Sequence, residues 1–253
     1  MISELEPIGL DELVTEAALL TRVDRKYAMS ADEARAVLTD LPLDTRVLAI
    51  DGQRSFEYES FYFDTPDLLS FRMAALGRRR RFKLRTRSYL DSEDAFLELK
   101  TRGARSATVK DRIEYDFAER DELTDEGREY ATEGLTALGI AESEALELRP
   151  TLATRYHRTT LLAPTGGGRA TIDIDLSWEL ADGGVLELPD LVIVETKSGQ
   201  RTSVIDRMLW AHGIRPTTIS KYGTGLAALR PELPSNKWTR VLRRRFHPAA
   251  IAA

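Results

Sequence analysis

The sequence predicts an α+β fold in which strands curl into a closed barrel around a charged interior, and two observations point there. The first is the stretch 78–87, Arg-Arg-Arg-Arg-Phe-Lys-Leu-Arg-Thr-Arg, where seven of ten residues are basic in a 253-residue chain of formal net charge −5. Successive side chains of a strand point to opposite faces. That sets Arg79, Arg81, Lys83, Arg85 and Arg87 against Phe82, Leu84 and Thr86. A solvated charge run has no use for an apolar partner face; a strand between a core and an anion-binding cavity does. The second observation is recurrence. Residues 96–102 put Leu97 and Leu99 opposite Glu98, Lys100 and Arg102, and residues 109–117 put Lys110, Arg112 and Glu114 opposite Ile113, Tyr115 and Phe117. Residues 171–176 set Thr171, Asp173 and Asp175 against Ile172, Ile174 and Leu176, and residues 191–197 place Glu195 and Lys197 on one face. An open sheet would leave these faces to bulk water, whereas a closed barrel can hold the cations if an anionic ligand and a cation complete the charge balance.

The other elements follow in order. Ile8, Leu13, Val14, Ala17 and Leu20 have helical spacing behind acidic residues, predicting a helix over 8–20. Residues 22–29 alternate and predict a strand with Asp24, Lys26 and Ala28 on one face. Ser30-Ala31-Asp32-Glu33 opens a second helix that runs through Leu38 and ends before Pro42. Strands are predicted at 46–50 and 56–63 around an Asp51-Gly52 turn. Asp64-Thr65-Pro66-Asp67 starts a short helix reaching about residue 75, closed by Gly77.

Beyond the basic strand and its two successors, residues 119–140 are acidic and helical, with Leu123, Tyr130, Leu135 and Leu138 as the buried stripe. Residues 151–162 predict a strand carrying Arg155, Tyr156 and Arg158. Gly166-Gly167-Gly168 lacks the Gly-Lys-Ser/Thr ending of a phosphate loop and lies between two strand patterns, so it reads as a hairpin turn, as does Asp182-Gly183-Gly184. Residues 203–212 are helical up to Gly213. The string 220–228 contains Gly-x-Gly-x-x-Ala with no βαβ unit after it; it reads as a helix start able to present backbone N–H groups to an anion. Past Pro234 the chain is basic (Lys237, Arg240, Arg243, Arg244, Arg245) and unpatterned. No repeat or linker divides the chain, so one domain is expected over 1–253, with its core at about 20–228 and a basic tail at about 235–253.

Composition narrows the chemistry. The chain has no cysteine, hence no disulfide framework and no thiolate zinc site. His157, His212 and His247 lie far apart and form no metal-ligand spacing. A pI near 5.5 with local basic strands points to a compact polyanion, not to nucleic acid, for which interleaved stacking aromatics are also missing. The acidic N-terminus has no signal-peptide layout, and no apolar run approaches the roughly 20 residues that span a bilayer. A cytoplasmic protein with no transmembrane segment is the expectation.

Eight motifs keep one order along residues 20–228: Asp24-Arg25-Lys26-Tyr27, Phe61-Tyr62-Phe63-Asp64-Thr65-Pro66, Lys83-Leu84-Arg85-Thr86-Arg87-Ser88-Tyr89, Phe96-Leu97-Glu98-Leu99-Lys100, Tyr156-His157-Arg158, Thr171-Ile172-Asp173-Ile174-Asp175, Glu195-Thr196-Lys197 and Ser220-Lys221-Tyr222. Together they resemble the polyphosphate-polymerase domain of the vacuolar transporter chaperone (VTC) family, within the triphosphate tunnel metalloenzyme superfamily. The resemblance implies a closed antiparallel β-barrel flanked by helices, ATP and inorganic polyphosphate as ligands, and Mn²⁺ or Mg²⁺. Carried over, it implies Arg85, Arg87, Arg158 and Lys221 as the catalytic cations. It implies Lys26, Lys100 and Lys197 as further phosphate ligands, Tyr156 and Ser220 as hydrogen-bonding companions, and Glu195 as the metal carboxylate. The charged-face reading adds Lys83, Lys110 and Arg112 to the substrate-binding set. Where other branches of the superfamily open with Glu-x-Glu-x-Lys, this chain has Arg22-Val23-Asp24-Arg25-Lys26, which weakens a claim to their activities.

The expected function is a metal-dependent phosphotransferase that moves the γ-phosphate of ATP onto a growing polyphosphate chain. Such a transfer needs in-line positioning and cations rather than a general base, because the attacking phosphate oxygen is already anionic. A tripolyphosphatase or nucleoside triphosphatase would use the same inventory, and a non-catalytic polyphosphate-binding module would need the cations but not Glu195. Oligomeric state and any association with a separate membrane protein stay open.

Overall fold

The computed structural model describes residues 2–16, 23–102, 108–164, 168–199 and 202–246. Its strands and helices, in chain order, are β1 (Glu6–Ile8), α1 (Leu10–Glu16), β2 (Val23–Ser30), α2 (Ala31–Leu38), β3 (Arg46–Leu48), β4 (Phe56–Asp64), α3 (Leu69–Ala75), β5 (Arg81–Tyr89), β6 (Asp94–Arg102), β7 (Thr108–Tyr115), α4 (Asp125–Leu138), β8 (Arg149–Leu162), β9 (Arg169–Leu180), β10 (Val185–Leu188), β11 (Leu191–Ser198), α5 (Val204–Ala211), α6 (Lys221–Leu229) and α7 (Thr239–Arg245). The main sheet runs β2-β11-β9-β8-β4-β5-β6-β7, antiparallel at each step; β10 adds to β9, and β1 pairs parallel with β3, which joins β8.

Antiparallel strands and flanking helices agree with the sequence reading; closure does not. Among the described residues no ladder joins β2 to β7, so the sheet is curled but open. Both edges explain this. The backbone N–H of Thr217 donates to the carbonyl of Lys26 at 2.7 Å, so a neighbouring segment occupies part of the free edge of β2. β7 turns Ile113 and Tyr115 onto the core under α4 and leaves Lys110, Asp111, Arg112 and Glu114 exposed to solvent, so its free edge is flanked by charge. The curl is nevertheless tight: Lys26 and Asp24 of β2 stand within electrostatic range of Lys100 on β6.

The outer face of the sheet is apolar where helices cover it and polar between, where Glu59 pairs with Arg120 and Arg155. Along β5, Phe82, Leu84, Thr86 and Ser88 are buried and the odd-numbered residues only half-buried, as the alternation predicts. Phe82 and Leu84 pack with Leu97, Leu99, Ala131 and Leu135 under α4. On the other side α2 and α5 cover Val192, Val194, Ile172 and Met29. Both helices begin with capping boxes, Ser30 with Glu33 and Ser203 with Asp206.

The inner, concave face is divided. At one end Leu176, Trp178, Leu191 and Ile193 pack beneath α6 and α7 with Tyr222, Leu226 and Trp238. The Gly-x-Gly string serves this contact: a Cβ on Gly225 would lie 2.1 Å from Trp178 Cδ1, and one on Gly223 2.4 Å from Trp238 Cζ2. Those glycines are there for close helix–sheet packing. The other end carries the charges.

Several local expectations are corrected. The first helix is shorter than 8–20: Ile8 lies on β1, opposite Leu48 and packed on Leu162, α1 covers 10–16, and residues 17–22 fall outside the described ones. Arg79 lies before β5, exposed, so it does not join the charged face. The alternation over 171–176 breaks at a bulge: the β8–β9 register shifts between Arg155 and His157, and Asp175 adopts φ +53°. Asp173 therefore points in, Asp175 out, and Leu176 back in. The segment after Pro234 is not unpatterned, because α7 buries Val241 and follows the buried Trp238, while Phe246 packs on Trp178 at 5.4 Å. Residues 247–253, His247 included, lie outside the described ones.

Candidate functional site

The charged end of the concave face is built from cross-strand neighbours, so register alone brings most of its pairs together. Arg158 on β8 sits opposite Asp173 on β9 and grips it with two hydrogen bonds, Nε–Oδ1 2.6 Å and Nη2–Oδ2 2.8 Å. Lys221, first residue of α6, donates to the same carboxylate and lies 4.0 Å from the centre of the Tyr156 ring. Burial would raise the Asp173 carboxyl, but Arg158 and then Lys221 outweigh it and hold it near a pKa of about 2. Arg85 on β5 faces Glu98 on β6 and binds its Oε2 through Nε (2.9 Å) and Nη2 (2.7 Å). Lys110 reaches Glu98 Oε1 at 2.7 Å, and Arg87 stands 3.8 Å from Oε2 with its buried Nε left without a hydrogen-bond partner.

Glu195 on β11 lies opposite Lys26 on β2, with 3.1 Å to Lys26 Nζ and 3.7 Å to Lys197 Nζ. Burial opposes ionisation of Glu195, but the two lysines hold its carboxyl well below the usual range. Burial also brings the Lys197 ammonium down to a pKa of about 8, against the pull of Glu195.

Lys83 is different. Its direct neighbour across the β5–β6 ladder is Lys100, whose neighbour on β7 is Lys110, so three lysines stand in one row. Like charges directly opposite destabilise a sheet. Lys83 Nζ donates to Ser220 Oγ at 2.8 Å and lies 5.7 Å and 5.9 Å from the Tyr62 and Tyr222 ring centres. No carboxylate lies within ion-pair distance of it among the described residues. Burial, then Arg85, Lys100 and Lys26, push its ammonium well below the usual lysine range. Ser220 also caps α6, accepting from Gly223 N at 3.3 Å, so α6 starts in the cavity as the sequence predicts.

The predicted residues thus gather in one place, with differences of depth. Lys26, Lys83, Arg85, Arg87, Tyr156, Arg158, Lys197, Ser220, Lys221 and Glu195 line the interior, whereas Lys100, Lys110 and Arg112 sit on its exposed rim. Arg112 spends its guanidinium on the Phe96 ring at 4.3 Å. Of the acids on predicted charged faces, Glu98, Asp173 and Glu195 point inward; Asp175 turns outward toward His157, and Glu114 is exposed.

The tyrosine floor was not legible in the sequence. Tyr58 stacks on Tyr156 at 5.4 Å and lies under Arg158 at 5.0 Å, while Tyr62 donates no charge but bonds Arg85 Nη1 at 3.1 Å through its hydroxyl and stacks on Tyr222. Residues 56–63 are aromatic on both faces, Phe61 and Phe63 packing outward, so alternation could not tell inside from outside. Asp64 opens α3 as the sequence predicts, accepting from the N–H groups of Thr65, Ser70 and Phe71, but its further bond from the Tyr222 hydroxyl, which ties α3 to α6, was not foreseen.

The donor set limits any metal. Among the described residues no three His, Cys, Asp or Glu side chains gather around one point. Glu98, Asp173 and Glu195 are separate inward carboxylates, each already facing cations, so a hard divalent cation could take one of them only with phosphate oxygens and water filling its shell.

Comparison with known proteins adds the following. The VTC domain family matches residues 21–230. No curated protein matches the sequence. Among solved structures, a Hippeastrum protein described as a candidate adenylyl cyclase with a dominant triphosphatase activity is 16% identical, covering 86% of this chain and 100% of its own at a TM-score of 0.48. A candidate adenylate cyclase from Bacillus halodurans is 13% identical over 79% of this chain and 94% of its own, also at a TM-score of 0.48. No described helix is long and apolar enough to cross a membrane.

Proposed function

The chain belongs to the VTC domain family, and on that premise we propose that its charged cavity binds ATP and inorganic polyphosphate and transfers the γ-phosphoryl group from the one to the other. The observation that carries the reading is Lys83. An enclosed ammonium set in a row of lysines, with a serine hydroxyl as its hydrogen-bond partner, costs folding free energy and is retained where an anion completes it. The unpartnered Nε of Arg87 argues the same way.

The transfer asks little covalent chemistry of the protein. A terminal oxygen of the acceptor polyphosphate forms the new P–O bond as the bond from the γ-phosphorus to the β–γ bridging oxygen breaks, and ADP leaves. Arg158 and Lys221 are held rigidly by Asp173, and Arg85 by Glu98, so their remaining N–H donors are aimed before substrate arrives. Such preorganised donors stabilise charge on the equatorial oxygens without reorganising during reaction. Glu195 and phosphate oxygens would hold Mn²⁺ or Mg²⁺, which when bound would neutralise charge on the transferring group.

The test is a gel of the products formed from ATP and Mn²⁺ by pure protein. A ladder of phosphate polymer with stoichiometric ADP supports the proposal. Free phosphate alone would transfer the site to triphosphate hydrolysis, and tight polyphosphate binding without turnover would make it a binding module.

A further inference from the structure

A second basic cleft lies away from the lysine row, toward the apolar end of the concave face. It holds about 180 Å³ between α7, the segment 212–217 and the junction of β2 with α2. Ala28, Ile214 and Val241 contribute apolar walls, and Arg215, Arg240 and Arg244 carry the charge.

The other ionisable groups of this region are already paired. Arg245 binds both oxygens of Glu33, at 2.8 Å and 3.1 Å, and His212 is held by Asp40 at 2.7 Å. Arg215 gives one N–H to the carbonyl of Trp210 at 2.6 Å and keeps its other donors. Arg240 and Arg244 make no hydrogen bond or ion pair among the described residues. They stand four residues apart on α7, where like charges meet side by side and weaken the helix. Both are exposed and solvated at the mouth of the cleft, unlike Val241, which the same helix spends on the core, and Arg245, which it spends on Glu33.

We propose that this cleft is a second anion-binding site, separate from the charged cavity, for a compact anion bearing clustered phosphate groups. Guanidinium forks match phosphate oxygens two at a time, and three of them around so small a space select clustered over single charges. One wall is shared structurally with the cavity: Thr217 bonds the carbonyl of Lys26, and the chain then runs directly to Ser220 and Lys221. A ligand in the cleft would therefore bear on the segment that delivers those two residues.

The proposal does not depend on the reading of the cavity, and its test separates them. Pyrophosphate is titrated calorimetrically, at low salt and without metal, into Lys83→Met/Arg87→Gln protein, which lacks two cavity cations that have no carboxylate hydrogen bond. One remaining site is expected, and adding Arg240→Glu/Arg244→Glu should weaken it at least tenfold, with unchanged circular dichroism and melting temperature. Arg240→Gln/Arg244→Gln, gentler on α7, should give an intermediate loss. No residual site, or one indifferent to the α7 changes, overturns the proposal. Retention of long-chain polyphosphate but not of pyrophosphate overturns the assignment to a compact anion. Failure of the cavity reading would show instead as absent turnover in the unaltered protein.

Discussion

The two ends of the concave face use the same strands for opposite ends. Along β11, Leu191 and Ile193 lie at the apolar end, and Glu195 and Lys197 at the charged end. β2 does the same with Ala28 and Lys26, and β9 with Trp178 and Asp173. At the apolar end α6 and α7 fill the curl with aromatic rings, close-packed to the point that Gly225 has no space for a methyl group. At the charged end, cations outnumber Glu98, Asp173 and Glu195, and among the described residues Lys83 has no acid within ion-pair distance. One end is therefore optimised for stability. The other carries a cost in stability that a ligand would recover, the usual sign of a site shaped by function.

The largest test of that contrast is on the packed end. Trp178→Ala should destabilise the protein by about 3–5 kcal/mol, measured by urea unfolding, because a large void opens under α6. Leu84→Asp should do comparable or greater damage from the outer face, since Leu84 is fully buried and the carboxylate would have no partner. If Leu84→Asp folds normally, the register of β5 is wrong.

On the charged end the expected order reverses, activity falling while the fold holds. Arg87→Ala removes a donor with no hydrogen bond at its Nε, so turnover should drop on the order of 10²-fold with little change in melting temperature. Lys83→Met goes further: it should lose phosphate affinity yet raise the melting temperature, by about 2–4 °C for each kcal/mol of repulsion relieved. A lower melting temperature in Lys83→Met would mean that the lysine row is not under strain.

Glu195→Gln sharpens the comparison within the charged end. It should abolish metal-dependent turnover while sparing or tightening metal-free polyphosphate binding, because one negative charge leaves a site for anions. Near-normal turnover would put the metal on Asp173 or Glu98.

The smallest effect is on pH. Lys197 titrates in the free protein at about 8, below the unfolded value, and its charged form is the one that attracts phosphate. Below pH 8 it is charged before binding; above, binding must take up a proton, so polyphosphate affinity should fall as pH rises from 8 toward 10. The loss is at most tenfold per unit for this lysine, with proton uptake visible as a buffer-dependent calorimetric heat. The same shift has a stability side. A lysine whose folded pKa is depressed costs stability while it is charged, so the unliganded protein should gain stability as pH rises through that range.

Much of the site is readable from the chain because strand alternation is local: Lys83, Arg85 and Arg87 share a face whatever they pair with, and so do Glu195 and Lys197. Capping is local too, which is why Ser30, Ser203 and Ser220 marked their helices correctly. What the alternation cannot carry is a break in itself. The bulge at 174–175 sends Asp175 outward through one residue of φ +53°, and no residue type nearby announces it.

The sequence by itself determined which faces are charged, which are apolar, where the helices start, and hence that strands wall a cavity lined by cations. Only the tertiary structure decided that the sheet stays open, that aromatic rings from α6 and α7 close one end, and which cations are left uncompensated. Those outcomes rest on contacts such as Tyr222 with Asp64, 158 residues apart, and Thr217 with the edge of β2. Each depends on which surfaces meet once the chain has curled, and pairing energies between distant residues leave no periodic trace in the order of the amino acids.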